Sequence, residues 1–333
     1  MRKSVTIDVD ILDILKRYAS NEKRLTYKEI QQHLSNEYET DVSIDTVGDY
    51  CRALKDRKLI RGDKGCYMVP KFTDAEIRIL LDGIFYSKQI PDNLAKNLIK
   101  KLQDETPSTQ SKKYKNVVYV EAINRTDNEH VPEIIDALEE GIQKRVKVVI
   151  TTCGYTEQKI LVDRETYVVN PYAIVSDKQR YYLICYSGRH MPNVLETRRI
   201  DRISNVTLLT EPVLPVTKFE GCENGLNIKN FMRQHMYMMS GKSENITMWI
   251  LKRSIGEFID WYCKDFTILQ ERNECIRISF MANLNAFYYW ALQYGDLVLV
   301  TTPAKLVDRL KNTYRTMLER YLEGLTPKLG GML

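Results

Sequence analysis

Six consecutive residues, Tyr181-Tyr182-Leu183-Ile184-Cys185-Tyr186, put bulk on both faces of any strand they form. A strand with one face in water would alternate, so this one predicts a small barrel or a layer covered on two sides. It sits inside a dense segment, VVNPYAIVSDKQRYYLICYSGRHMPNVLETRRIDRI over 168–203, where a Pro171-Tyr172 turn precedes the strand and Arg198, Arg199 and Arg202 follow it. Guanidinium forks beside tyrosine rings suit a ligand carrying phosphate and flat bases. The competing reading is structural, since tyrosines at this spacing are usually core and arginines usually solvated or paired.

A chain of 333 residues is long for one core and comfortable for two or three domains. No apolar run reaches the roughly 18 residues of a membrane span, and MRKSVTIDVD lacks the apolar centre of a signal peptide, which sets the expectation of a cytoplasmic protein with no membrane partner. Seven cysteines, none in a C-x-x-C spacing, and four isolated histidines argue for reduced thiols and against a metal site. The net charge of +5 excludes a general polycation while leaving room for a local basic surface.

Residues 1–70 read as a winged helix-turn-helix. Ile7, Ile11, Ile14 and Leu15 give a first amphipathic helix, Thr26 and Glu29 form a capping box that opens a second, and Ser43 caps a third whose Val47, Cys51 and Leu54 face inward. Leu59–Arg61, the turn 62–65 and Cys66–Val69 then read as a hairpin. A helix so placed can enter a major groove with the wing on the backbone. Ser43, Thr46, Tyr50 and Arg52 are the candidate contacts on the helix, and Lys55, Arg57, Lys58, Arg61 and Lys64 the candidate phosphate contacts beyond it.

Residues 71–116 follow as a helical linker, split at Pro91 and ending in the polar hinge 103–116. A strand candidate over 117–123, a helix over 131–143 and strands from Val146 open a domain spanning 117–212. After a second linker, 213–245, the stretch 246–333 reads as strand, helix, two strands, helix and strand, which is the ferredoxin-like βαββαβ order, closed by a helix over 304–322. The fold class expected is therefore a multidomain α+β protein.

NPYAIV, YYLICYS and RRIDRI, in that order and spacing, resemble the core of WYL-domain transcription regulators. Tyr182 and Leu183 match the second and third letters of the Trp-Tyr-Leu signature, with Tyr181 where tryptophan is usual; FYYWALQYGDLVLVTTP resembles the extension that follows many such domains. The resemblance implies an Sm-like, SH3-type barrel that binds a nucleic-acid or nucleotide effector, with Tyr155, Tyr172, Tyr181, Tyr182, Arg198, Arg199 and Arg202 as effector contacts. In the head, Ser43 and Thr46 resemble the family's recognition helix, whereas Asp45 stands where arginine is usual.

No phosphate-binding loop, dinucleotide fingerprint, nucleophile elbow or H-E-x-x-H occurs, so no catalytic residue, metal or cofactor is expected. The function expected is a homodimeric, ligand-responsive repressor binding an operator in duplex DNA. The alternative is an accessory protein binding RNA or single-stranded DNA beside a defence nuclease.

Overall fold

The computed structural model describes residues 7–104, 125–262 and 264–324. The strand expected over 117–123 and residues 105–116 of the expected hinge lie outside the described residues. The chain divides into two compact units, 1–129 and 130–333. Both mix helices with sheet, and among the described residues no helix is long and apolar enough to cross a membrane.

The first unit opens with α1 (Ile7–Tyr18), α2 (Tyr27–Tyr38) and α3 (Ile44–Asp56), and each begins where local chemistry allows. At α2 the Thr26 hydroxyl accepts from the Glu29 amide at 3.3 Å while the Glu29 carboxylate accepts from the Thr26 amide at 2.7 Å, so two otherwise orphaned donors are satisfied. The three helices bury Ile11, Ile14, Leu15, Ile30, Leu34, Val47, Cys51 and Leu54 in one cluster. A short hairpin, β1 (Ile60–Arg61) with β2 (Tyr67–Met68), closes against it through a bridge from Cys66 to Leu25. Its turn demands glycine: Gly62 and Gly65 have φ of 113° and 142°, and a Cβ on Gly62 would lie 2.0 Å from the Gly65 carbonyl oxygen. Beyond it, α4 (Asp74–Phe85) and α5 (Asp92–Asp104) pack around Ile77, Leu81 and Phe85. Arg125 caps the end of α4, donating to the carbonyls of Ile84, Phe85 and Ser87 at 3.1, 2.7 and 2.8 Å.

In the second unit α6 (Val131–Lys144) leads into a five-stranded antiparallel sheet of β3 (Val146–Tyr155), β4 (Leu161–Asp177), β5 (Arg180–Tyr186), β6 (Glu196–Arg199) and β7 (Ile203–Pro212), ordered β6-β5-β4-β3-β7. The 17-residue β4 serves two neighbours in turn, pairing with β3 up to Val169 and with β5 from Asn170 onward, with a register break between Pro171 and Ala173. The outermost strands β6 and β7 are joined by one tight helical turn, Ile200–Arg202. Leu183 and Cys185 of β5 enter the cluster beneath α6, while Ile184 enters a second cluster with Ala173, Val175 and Phe219. Both faces of this strand are buried, as its composition requires.

The stretch 213–245, expected as a linker, is part of the core. Phe219, Cys222, Phe231 and Met238 cover the second face of the five-stranded sheet, and a short helix, α7 (Ile228–Gln234), lies within it. The remainder alternates as read from sequence: β8 (Ser243–Leu251), α8 (Ile255–Tyr262), β9 (Thr267–Glu271), β10 (Cys275–Asn283), α9 (Leu284–Gln293), β11 (Val298–Thr302) and α10 (Ala304–Glu323). The sheet is antiparallel, ordered β11-β8-β10-β9, and its inner face shares a cluster with Phe258, Tyr262, Phe287 and Trp290.

Candidate nucleic-acid interface

Strand periodicity divides the arginine cluster before any ligand enters. Register sets Arg199 opposite Tyr182 and Arg198 opposite Leu183, so the two neighbouring arginines project from opposite faces of β6. Each is organised by its own buried carboxylate.

On the Tyr182 face the organiser is Asp201, 3% exposed in the turn that follows β6. Arg199 grips it with two bonds of 3.0 and 2.6 Å, and Arg180 donates from the start of β5 at 2.8 Å. The bond to Asp201 holds the Arg199 pKa above its ordinary value, whereas burial pulls that of Arg180 down, with Arg199 and Arg202 adding like-charge repulsion. Arg202 takes a different role: its guanidinium carbon stands 4.2 Å from the centroid of the Tyr155 ring, at the end of β3. Tyr155 is 37% exposed, so ring and cation together form a surface on which a flat group can stack.

On the other face Glu196, 4% exposed, accepts from Arg198 at 2.5 Å and from the Ser187 amide at 2.7 Å. Arg198 also donates to the Tyr167 hydroxyl at 2.9 Å, and Arg189 lies over the same ring at 4.6 Å. Burial opposes the charge on Arg198, but Glu196 and Tyr167 outweigh it and its pKa ends above the ordinary value. Three guanidinium groups, those of Arg180, Arg198 and Arg199, thus meet two buried carboxylates, and Arg202 adds a fourth over the Tyr155 ring.

The remaining sequence candidates are placed less favourably for a ligand. Tyr172 donates its hydroxyl to the Leu214 carbonyl at 2.8 Å and packs edge-on against Phe219, and burial drives its pKa far up. Tyr181 packs on the α6 side of the sheet. Tyr182 is half-buried on the opposite side, its pKa raised by that burial. The structure therefore brings Tyr155, Tyr182, Arg199 and Arg202 together around Asp201 and sets Tyr172 and Tyr181 into packing roles. Sequence reasoning missed Tyr167, Arg180, Arg189 and Glu196. The period-two alternation of ETRR was the available signal that Arg198 and Arg199 could not share a partner.

In the first unit, Ser43 accepts from the Thr46 amide at 3.2 Å, and the two hydroxyls lie 2.9 Å apart, so both residues serve the start of α3. Tyr50 packs against the helical core. The outward face of α3 carries Asp45, Asp49, Arg52 and Asp56, with Arg52 paired to Asp49. Lys55 turns back to Tyr27 on α2, 3.5 Å from its hydroxyl. Arg57, Lys58, Arg61 and Lys64 are exposed at the end of α3 and along the hairpin. The basic surface of this unit is thus on the hairpin side, and the helix face itself is acidic. Among the described residues no group of three or more histidine, cysteine, aspartate or glutamate side chains could hold a metal ion.

Comparison with known proteins gives one family. Residues 133–208 match the model of the WYL domain. No curated protein matches. Among solved structures, Proteasome accessory factor B/C (PafBC) of Arthrobacter aurescens is 13% identical over 95% of this chain and 48% of its own, with a TM-score of 0.29. A CRISPR Cas-related protein is 14% identical over 96% of this chain and 86% of its own, with a TM-score of 0.38. The chain spans about half the length of the first of these.

Proposed function

We propose that this WYL-domain chain is a non-catalytic, cytoplasmic transcription regulator, acting as a homodimeric repressor. In this reading residues 1–70 are a winged helix-turn-helix, 71–116 a helical linker, 117–212 an Sm-like, SH3-type barrel covered on one face by 213–245, and 246–333 a ferredoxin-like extension. The head binds a palindromic operator, one copy per half-site, because two-fold dimers match two-fold DNA. The barrel senses a nucleic-acid fragment or nucleotide. The observation that carries the reading is the Tyr155–Arg202 pair beside the arginines ordered by Asp201, which combines a stacking surface with fixed positive charge. Regulation follows if the effector binds the operator-competent and operator-incompetent dimers unequally.

A second reading, an accessory protein for RNA or single-stranded DNA, is favoured by one observation: Asp45, Asp49 and Asp56 make the outward face of α3 acidic, which repels a phosphate backbone. Selection of bound sequences from random duplex DNA separates the two. Enrichment of an inverted repeat is the result expected of the regulator. Folded protein that enriches nothing, yet binds single strands, overturns it.

A further inference from the structure

The sheet of β8 to β11 has one face under helices and another that offers a ligand surface. Ile246, Met248 and Ile250 of β8, and Ile276, Ile278 and Phe280 of β10, point into the cluster beneath α8 and α9. The residues between them point the other way, and the cross-strand register aligns Leu299, Trp249, Arg277 and Gln270 in one row across all four strands. Leu299 is 65% exposed, and Trp249 and Arg277 are partly so. One end of this face forms an open groove of about 770 Å³ lined by Trp249, Arg272, Glu274, Asp296 and Leu299.

Two further observations point to an occupant. Arg272, at the turn between β9 and β10, holds its guanidinium carbon 4.3 Å from the centroid of the Trp249 ring. The Nε of Arg277 is shut off from solvent and has no hydrogen-bond partner among the described residues. A buried donor without an acceptor is a cost that a bound acceptor removes.

We infer that this face is a second binding surface for single-stranded nucleic acid, with a base stacked on Trp249 and the adjoining phosphates taken by Arg272 and Arg277. A four-stranded antiparallel sheet can present an aromatic ring to unpaired bases, and every base has a π face, so the surface is sequence-tolerant. An acidic peptide would satisfy the two guanidinium groups but leave the indole unused. Glu271, the carboxylate of β9, is paired with Lys252 at 2.5 Å, which lowers its opposition to a phosphate.

The inference stands apart from the barrel site, and the test keeps them apart. The full-length protein is titrated into labelled RNA and DNA strands of about ten nucleotides, a length within the range such surfaces bind. Trp249→Ala is expected to weaken binding roughly ten- to a hundredfold, and Trp249→Phe to restore most of it. Arg277→Ala should weaken binding and flatten its salt dependence. Arg272→Ala, at an exposed position, gives the same readout should Trp249→Ala fail to fold. Affinity unchanged in these variants overturns the inference, as does wild-type protein that binds neither strand. Binding abolished by Tyr155→Ala with Arg202→Ala, and indifferent to Trp249, assigns the nucleic acid to the barrel alone.

Discussion

Replacing Asp201 should move stability and ligand affinity in opposite directions. Its side chain is 4% exposed and accepts bonds from Arg199 and from Arg180 at 2.6 to 3.0 Å. Removing one partner of a buried ion pair costs about 3–5 kcal/mol because the other is left charged and poorly hydrated. Here the abandoned groups keep 19% (Arg180) and 34% (Arg199) of their side-chain exposure, so water recovers part of that cost. About 2–4 kcal/mol is expected for Asp201→Ala, a fall in melting temperature of about 5–15 °C for a cooperative unit of roughly 200 residues. Asp201→Asn keeps the shape and one acceptor, and should lose about half as much. Both substitutions remove the negative charge that competes with a ligand phosphate, so affinity for a short oligonucleotide should rise severalfold at low salt. Urea unfolding followed by circular dichroism, with fluorescence anisotropy on the same preparations, reads both quantities. Asp201→Ala within about 0.5 kcal/mol of the parent would show the pair to be effectively solvated. A tenfold loss of affinity in a well-folded Asp201→Asn would refute the idea that carboxylate and ligand compete, and make Asp201 a positioning group for the arginines.

Three other outcomes are expected. Tyr155→Ala with Arg202→Ala should reduce oligonucleotide binding about tenfold or more, whereas Tyr172→Phe should leave binding within about twofold and cost about 1 kcal/mol of stability, since the Leu214 carbonyl loses its donor; denaturant midpoints and anisotropy measure both. In the head, Asp49→Asn releases Arg52 and should strengthen duplex binding at low salt, while Arg57→Ala with Arg61→Ala should lower the log–log salt slope by about one for each phosphate no longer neutralised, read from titrations across salt concentrations. His235 is buried between the carbonyls of Phe231 and Gly241, and burial lowers its pKa below the usual 6.5. The unfolded chain then takes up the proton first, so its contribution to stability is complete above pH 6.5 and is lost as pH falls through the folded value; the unfolding midpoint should decline from pH 6.5 towards 5, and His235→Gln should flatten that decline.

The parts of the fold that were legible in sequence are those decided by near neighbours. Thr26 with Glu29 and Ser43 with Thr46 announce their helices because a cap is made within one turn. The strand, helix and hairpin order after 243 was readable because each element carries its own apolar period. What was not legible depends on partners distant in the chain. Tyr172 looks available until Leu214, 42 positions later, takes its hydroxyl. The stretch 213–245 looks like a connector because its buried groups, Phe219, Phe231 and His235, show no periodicity of their own; they are buried only once the rest of the fold is made. At the site, the presence of Arg199 and Arg202 near tyrosine was readable, but their division of labour was not. It comes from a tight turn that buries Asp201 against Arg199 while leaving Arg202 over Tyr155.

The cover that 213–245 lays over the five-stranded sheet also decides how this protein can be cut. A fragment ending at 212 would leave Tyr172, Ala173, Val175 and Ile184 facing water along one sheet surface, and a fragment beginning at 246 would lose Met236 from its own interior. Two neat halves, each seemingly complete by strand count, would both emerge with a raw side and adhere to whatever was nearby. The segment therefore acts as a shared wall, and a piece that keeps both rooms dry must hold it together with both sheets, as the unit 130–333 does.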